Sequence, residues 1–206
     1  MQGGDRIYLA SRSPRRRELL QQIGIAHEVL TQRIKAERGP DVNEDPLPGE
    51  NPRDYVVRVC HAKVESGWLR VIQRKLPLRG VLAADTTVCL GDAILGTPRN
   101  AAEATEFLTR LSGREHEVLT AIAFKLGERV QAELSVTTVR FRALDAGEIA
   151  RYVASGEPMD KAGAYGIQGR AGAFVSEIRG SYSGVMGLPL HETALLLARF
   201  GIGISP

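Results

Sequence analysis

The stretch Gly80-Val81-Leu82-Ala83-Ala84-Asp85 constrains the fold more than any other part of the chain. An unbroken apolar run of strand length carries no polar face, so the strand is expected to be covered on both sides, as in the middle of an α/β sheet. Its last residue is an acid. In open α/β sheets, ligands and metals gather at the carboxyl ends of such strands, so Asp85 either faces a ligand there or caps a turn.

A second strand-like run, Ile7-Tyr8-Leu9-Ala10, stops at Ser11-Arg12-Ser13, and a helix is expected to open on Pro14. Proline suits the first helical position, and Ser13 is a good N-cap. Arg15, Arg16 and Arg17 then fill the first turn, where the helix dipole disfavours positive charge. Free amides, the positive dipole end and arginines together form an anion site of the kind phosphate groups occupy.

The rest of the chain alternates helix and strand patterns. A strand is expected over 27–31, and the polar, proline-bearing stretch 32–51 reads as a loop. Loops of that length in small domains usually carry function. A long helix over 52–75 places Lys63 beside its apolar stripe, where it either snorkels or serves the site. Hairpins are expected at Gly91-Asp92 and Gly127-Glu128, with helices over 100–111, from Asp145 to about Ser155, and from Leu188 to about Phe200. Between them, residues 156–170 form a glycine-rich loop mixing Asp160, Lys161, Tyr165 and Gln168, which reads as a ligand wall.

Composition narrows the function classes. With 43% apolar and 25% charged residues, the chain has the makings of a substantial core, and its net charge of +3 suits a small anion better than a nucleic-acid groove. No apolar run reaches membrane-spanning length, and Met1 to Arg6 lacks the apolar core of a signal peptide, so a cytoplasmic protein is expected. Cys60 and Cys89 lack any CxxC pattern and are expected as reduced thiols. Zinc-ligand spacing, a P-loop and a nucleophile elbow are all missing from the sequence, and the four histidines read as structural or exposed.

Several ordered motifs resemble the Maf family of nucleoside triphosphate pyrophosphatases over essentially the whole of residues 1–206, taken as a single domain. They are Leu9-Ala10-Ser11-Arg12-Ser13-Pro14-Arg15-Arg16, Ala83-Ala84-Asp85-Thr86, Leu111-Ser112-Gly113 with His116, the run from Gly156-Glu157-Pro158 to Gln168-Gly169, and Gly187-Leu188-Pro189. The resemblance implies a mixed α/β fold similar to inosine-triphosphate pyrophosphatases, with an elongated sheet, flanking helices and two lobes around a central cleft. It also implies metal-dependent hydrolysis of a nucleoside triphosphate to monophosphate and pyrophosphate, with Mg²⁺ or Mn²⁺ as cofactor and a homodimer as the assembly.

By position in those motifs, Asp85 would be the catalytic acid or base and a metal ligand, with Glu44 assisting at the metal. Lys63 and Arg16 would engage phosphate, Ser11 and Ser13 would line the same turn, Lys161 would sit by the triphosphate, and Asp160 would support the site. Arg15, Thr86 and Gln168 match the branch acting on dTTP and UTP rather than the 7-methyl-GTP branch, which carries Trp, Gln and Glu there. A glutamine amide offers a donor and an acceptor to the O4 and N3–H edge of uracil or thymine, whereas a glutamate only accepts. The chain departs from the pattern at Thr97, where a lysine is usual, and at Asn43, where an acid is common. Thr97 favours the alternative of a nucleotide-binding regulator of cell division with weak or no catalysis.

Overall fold

The computed structural model describes residues 6–30 and 42–204. In chain order the elements are β1 (Ile7–Leu9), α1 (Pro14–Gln22), β2 (His27–Val29), α2 (Pro52–Gln73), β3 (Val81–Leu90), β4 (Ala93–Leu95), α3 (Ala101–Leu111), β5 (Glu115–Leu126), β6 (Arg129–Phe141) and α4 (Ala146–Ala154). Three short 3₁₀ turns then lead to β7 (Val175–Arg179), α5 (Tyr182–Val185) and α6 (Leu190–Ala198). The helix starts follow local chemistry. Ser13, Asn51, Asn100 and Asp145 cap α1 to α4 with side-chain oxygens, and Asp145 forms a capping box with Glu148. One expectation changes here. The glycine-rich stretch 156–170, expected as a loop, is wound into 3₁₀ turns, and α5 beyond it is a single helical turn. Of the expected strand 27–31 and loop 32–51, residues 31–41 lie outside the described residues.

Among the described residues, seven strands form one mixed sheet, ordered β2-β1-β3-β5-β6-β7, with β4 paired to β3 off that path. β1 lies parallel to β2 and β3, and the remaining pairs are antiparallel. On one face, α2 packs Val56, Val59, Cys60 and Val64 onto Val81 and Ala83 of β3 and Leu119, Ala121 and Ala123 of β5. The opposite face is covered by two separate clusters. α1 and α6 bury Leu82, Ala84, Ile122 and Phe124, while α3 and α4 bury Val88, Val118 and Phe141.

The site follows from the gap between those two clusters. Along the second face, Ala84 belongs to one cluster and Val88 to the other, and the residue between them is Thr86; on β5 the same place is taken by Thr120, its register partner. The outer edge of β3 is open there as well. β1 pairs with it at 81–82 and β4 at 88–90, and among the described residues no strand pairs with the stretch between.

Candidate active site

Asp85 is not at a strand end. β3 runs unbroken through it to Leu90, and the expectation of a terminal acid is corrected by that continuity. What opens the position is the loss of a neighbour: β1 leaves β3 after Leu82 to turn into α1, so the mid-strand edge at Asp85 faces space instead of another strand. Strand alternation then sends Asp85 toward the α2 face and Thr86 toward the other.

On the α2 side, Lys63 Nζ donates to Asp85 Oδ1 at 2.7 Å and to Glu44 Oε2 at 2.9 Å. The side chains of Lys63 and Asp85 are 12% and 9% exposed, whereas Glu44 is 56% exposed, so the pair is interior and the third member stands at its mouth. Burial pushes the Asp85 carboxyl above its ordinary pKa, Lys63 and Arg16 pull it back, and Glu44 adds to the rise. Glu44 is held in place from α2. Tyr55 Oη donates to its backbone oxygen at 2.9 Å, and Arg58 grips the same loop through Glu50 at 2.6 and 2.8 Å and the carbonyls of Asn43 and Asp45.

On the other side, Arg16 is held entirely by neutral acceptors. Its Nε donates to Gly187 O at 2.7 Å, Nη1 to Ser11 Oγ at 3.3 Å, and Nη2 to Thr86 Oγ1 at 3.2 Å. Burial lowers the pKa of the guanidinium, with Asp85 countering. Ser13 Oγ accepts from the Arg16 amide and Ser11 Oγ from the Ser13 amide, which sets the turn before α1.

These groups line a cleft of about 570 Å³ that also takes in Arg15, Thr97, Glu157, Asp160, Lys161 and Gln168. Lys161 is pinned by Asp160 Oδ1 at 2.6 Å and by the Glu157 carbonyl. Its apolar end is built from Val88, Val118, Tyr165, Ile167 and Met186. Tyr165 is fixed from beneath by His116, whose Nε2 lies 2.9 Å from the phenol oxygen; burial pushes the imidazole pKa down to about 4, so it is neutral at physiological pH. A second cavity of about 310 Å³ adjoins the first and holds Ser11 and Arg12. The two share Ser13, Arg16, Glu44 and Lys63.

Every site residue expected from the sequence therefore borders one or both cavities. The residues missed were Glu157, which lay inside a recognised motif but received no role, and Gly187, whose carbonyl contact with Arg16 spans 171 positions; Tyr165, read from the sequence as part of a ligand wall, does line the cleft.

Two carboxylates converging on one lysine are hard oxygen donors at a polar edge. Among the described residues no three His, Cys, Asp or Glu side chains gather, so these two would form only part of a shell. Mg²⁺ is commonly held by one or two carboxylates, with waters and substrate phosphates completing its octahedron, and the donor set fits that pattern.

A family model described as "Maf-like protein" matches residues 6–200. The chain is 57% identical over 201 residues to a protein of Nitrosomonas europaea named dTTP/UTP pyrophosphatase, covering 98% of this chain and 97% of the relative. It is 58% identical over 198 residues to a protein of Aromatoleum aromaticum with the same name, covering 95% of this chain and 96% of the relative. Among solved structures, the Staphylococcus aureus Ham1 protein matches with a TM-score of 0.45 at 12% identity, over 66% of this chain and 71% of that one, a likeness too weak to build on. Among the described residues, no helix is long and apolar enough to cross a membrane.

Proposed function

The chain belongs to the Maf family, and on that premise we propose that it is a nucleoside triphosphate pyrophosphatase that hydrolyses dTTP and UTP to the monophosphate and pyrophosphate. One observation carries the reading of the site. The wall shared by the two cavities consists of Ser13, Arg16, Glu44 and Lys63, and Asp85 stands behind that lysine. A nucleotide laid with its base toward Gln168 and Tyr165 has its α–β anhydride at this wall and its outer phosphates in the smaller cavity, beside Ser11, Arg12 and the start of α1.

The roles follow from donor counts. Lys63 has three ammonium protons, of which two are spent on Asp85 and Glu44, and the third is left for a phosphate oxygen. Arg16 supplies fixed guanidinium charge to the developing phosphate charge without reorganising. Asp85, with its carboxyl pKa raised, is the general base. A water oxygen attacks the α-phosphorus, its proton passes to Asp85, the bond from the α-phosphorus to the bridging oxygen breaks, and pyrophosphate leaves with that oxygen. A divalent metal held by Asp85 and Glu44 would neutralise phosphate charge when bound. Lys161, backed by Asp160, contacts the triphosphate, while Arg15, Thr86 and Gln168 select the uracil or thymine base.

Thr97 lines the cleft where a lysine would add a further cation. Arg15, Arg16, Lys63 and Lys161 already supply four there, so the substitution does not favour a purely regulatory protein. The reading extends to residues 1–206 as one domain and to a cytoplasmic homodimer that binds nucleotides rather than nucleic acid or membrane; family membership supports it, and sedimentation tests the dimer. Metal-dependent pyrophosphate release measured across a nucleotide panel decides the activity. Release from dTTP and UTP is expected to exceed that from CTP, ATP and GTP, and equal rates across the panel would refute the base-reading roles.

A further inference from the structure

Thr120 does not line the cleft and is 1% exposed, yet it belongs to a closed ring of hydrogen bonds through Arg16. Arg16 Nη2 donates to Thr86 Oγ1 at 3.2 Å, and the Thr86 and Thr120 hydroxyl oxygens are 3.0 Å apart. Thr120 Oγ1 donates to Gly184 O at 2.8 Å, and that carbonyl also accepts from the Gly187 amide at 2.9 Å. Gly187 O in turn accepts from Arg16 Nε at 2.7 Å, which closes the circuit.

The direction of every proton in the ring is determined. A threonine hydroxyl has one proton and two lone pairs, while a carbonyl oxygen can only accept. Thr120 must therefore spend its proton on Gly184. The contact between the two threonines is then carried by the Thr86 proton, and Thr86 meets the arginine with a lone pair. Thr86 has no proton left for the cleft, so it can accept from a substrate group but not donate to one.

Two threonines side by side, with Ala84 and Val88 flanking one and Val118 and Ile122 the other on the same face, at the gap between two apolar clusters, have no packing reason to be there. Unpaired, each would cost more than a buried aliphatic side chain. In a low-dielectric interior such a ring holds its members stiffly. We propose that Thr120 is a positioning residue that acts through Thr86 to fix the orientation of the Arg16 guanidinium; this deepens, and rests on, the reading of Arg16 as a phosphate ligand. Without the Thr120 hydroxyl, the Thr86 proton loses its acceptor and is free to turn toward Arg16. That turn breaks the Nη2 bond and releases one side of the guanidinium.

The experiment compares the parent with Thr120→Val, Thr120→Ser, Thr86→Val and the double variant Thr86→Val/Thr120→Val. It reads kcat and KM on UTP and, separately, affinity for inorganic pyrophosphate by calorimetry. Loss of one buried hydrogen bond that leaves a donor unpaired is expected to lower kcat/KM about tenfold in Thr120→Val. Thr120→Ser, which keeps the hydroxyl, is expected within about threefold of the parent. Gly184 O keeps its bond from the Gly187 amide when the Thr120 hydroxyl is lost, so the route from Thr120 to Arg16 that matters is the Thr86 hydroxyl. The double variant is therefore expected within about twofold of Thr86→Val alone, whereas independent sites would multiply their losses. A folded Thr120→Val with parental kcat/KM, or a double variant showing the product of the single losses, overturns the proposal. Should Thr120→Val fail to fold, Thr120→Cys replaces it, since a thiol is a poor donor. A parent that releases no pyrophosphate from UTP refutes the enzymatic reading instead, and pyrophosphate affinity then scores the ring by the same comparisons.

Discussion

Replacing Asp85 by asparagine should abolish turnover and leave the fold as stable as before or more so. Asp85 is buried in the mid-sheet, and burial is the largest influence on its carboxyl, raising the pKa despite the charges of Lys63 and Arg16. A carboxyl whose pKa is raised on folding binds its proton more tightly in the folded state. Its contribution to stability is therefore present below the unfolded-state pKa and is lost as pH rises through the folded-state value. At neutral pH the ionised form is a net burden, at about 1.4 kcal/mol for each pKa unit of rise. Asparagine keeps the shape and an oxygen for the 2.7 Å bond from Lys63, while Lys63 retains Glu44 as its counter-ion.

Each gain of about 1 kcal/mol would appear as a rise in melting temperature of roughly 2–4 °C for a chain of this size. Loss of a general base costs about 10²- to 10⁴-fold in rate. The assay is thermal unfolding of parent and variant from pH 4 to 8, beside pyrophosphate release from UTP at saturating metal. The stability advantage should be largest at the alkaline end and shrink toward acid pH, where the parent carboxyl takes up its own proton. A variant less stable than the parent by more than about 1 kcal/mol at pH 8 would refute the burial argument, and undiminished turnover would refute the catalytic one.

Three further outcomes are expected. Gln168→Glu should depress UTP turnover at least tenfold, by setting an acceptor against the O4 carbonyl, while moving the melting temperature by no more than about 1–2 °C because the residue is exposed; steady-state kinetics beside calorimetry checks this. Gly163→Ala combines a φ of +68° with a new methyl 2.8 Å from Val88, and should cost about 3 kcal/mol and distort the wall that carries Lys161 and Tyr165, read as a lower denaturation midpoint and a raised KM. Glu50 is held down at a pKa of about 2, first by its bond to Arg58. The clamp on the Glu44 loop is therefore complete above about pH 4.5 and is lost as pH falls through about 2, so proteolytic nicking of residues 42–50 by an acid-stable protease should rise across that window in the parent and be raised throughout in Arg58→Ala.

The helices and hairpins were legible because their causes are local. Capping residues precede α1 to α4, glycines turn the chain at Gly91 and Gly127, and the apolar periodicities match the buried faces. The expected site residues fall together at the two cavities because ordered motifs carry them, and the arginine-rich first turn of α1 was legible from electrostatics alone. Which of them touch was not. Lys63 meets Asp85 only because α2 lies across the face to which strand alternation turns that acid, and Asp85 is open only because β1 parts from β3 after Leu82. Thr120 read as an ordinary strand residue within Val118-Leu119-Thr120-Ala121-Ile122, since its partner Thr86 is 34 positions away and Gly184 is 64. Residue types, caps and periodicities are properties of a few neighbouring positions, and the sequence by itself determined those. The cleft, its shared wall and the proton order around Arg16 depend on contacts between distant segments, which the packing of helices on the two faces of the sheet alone decided.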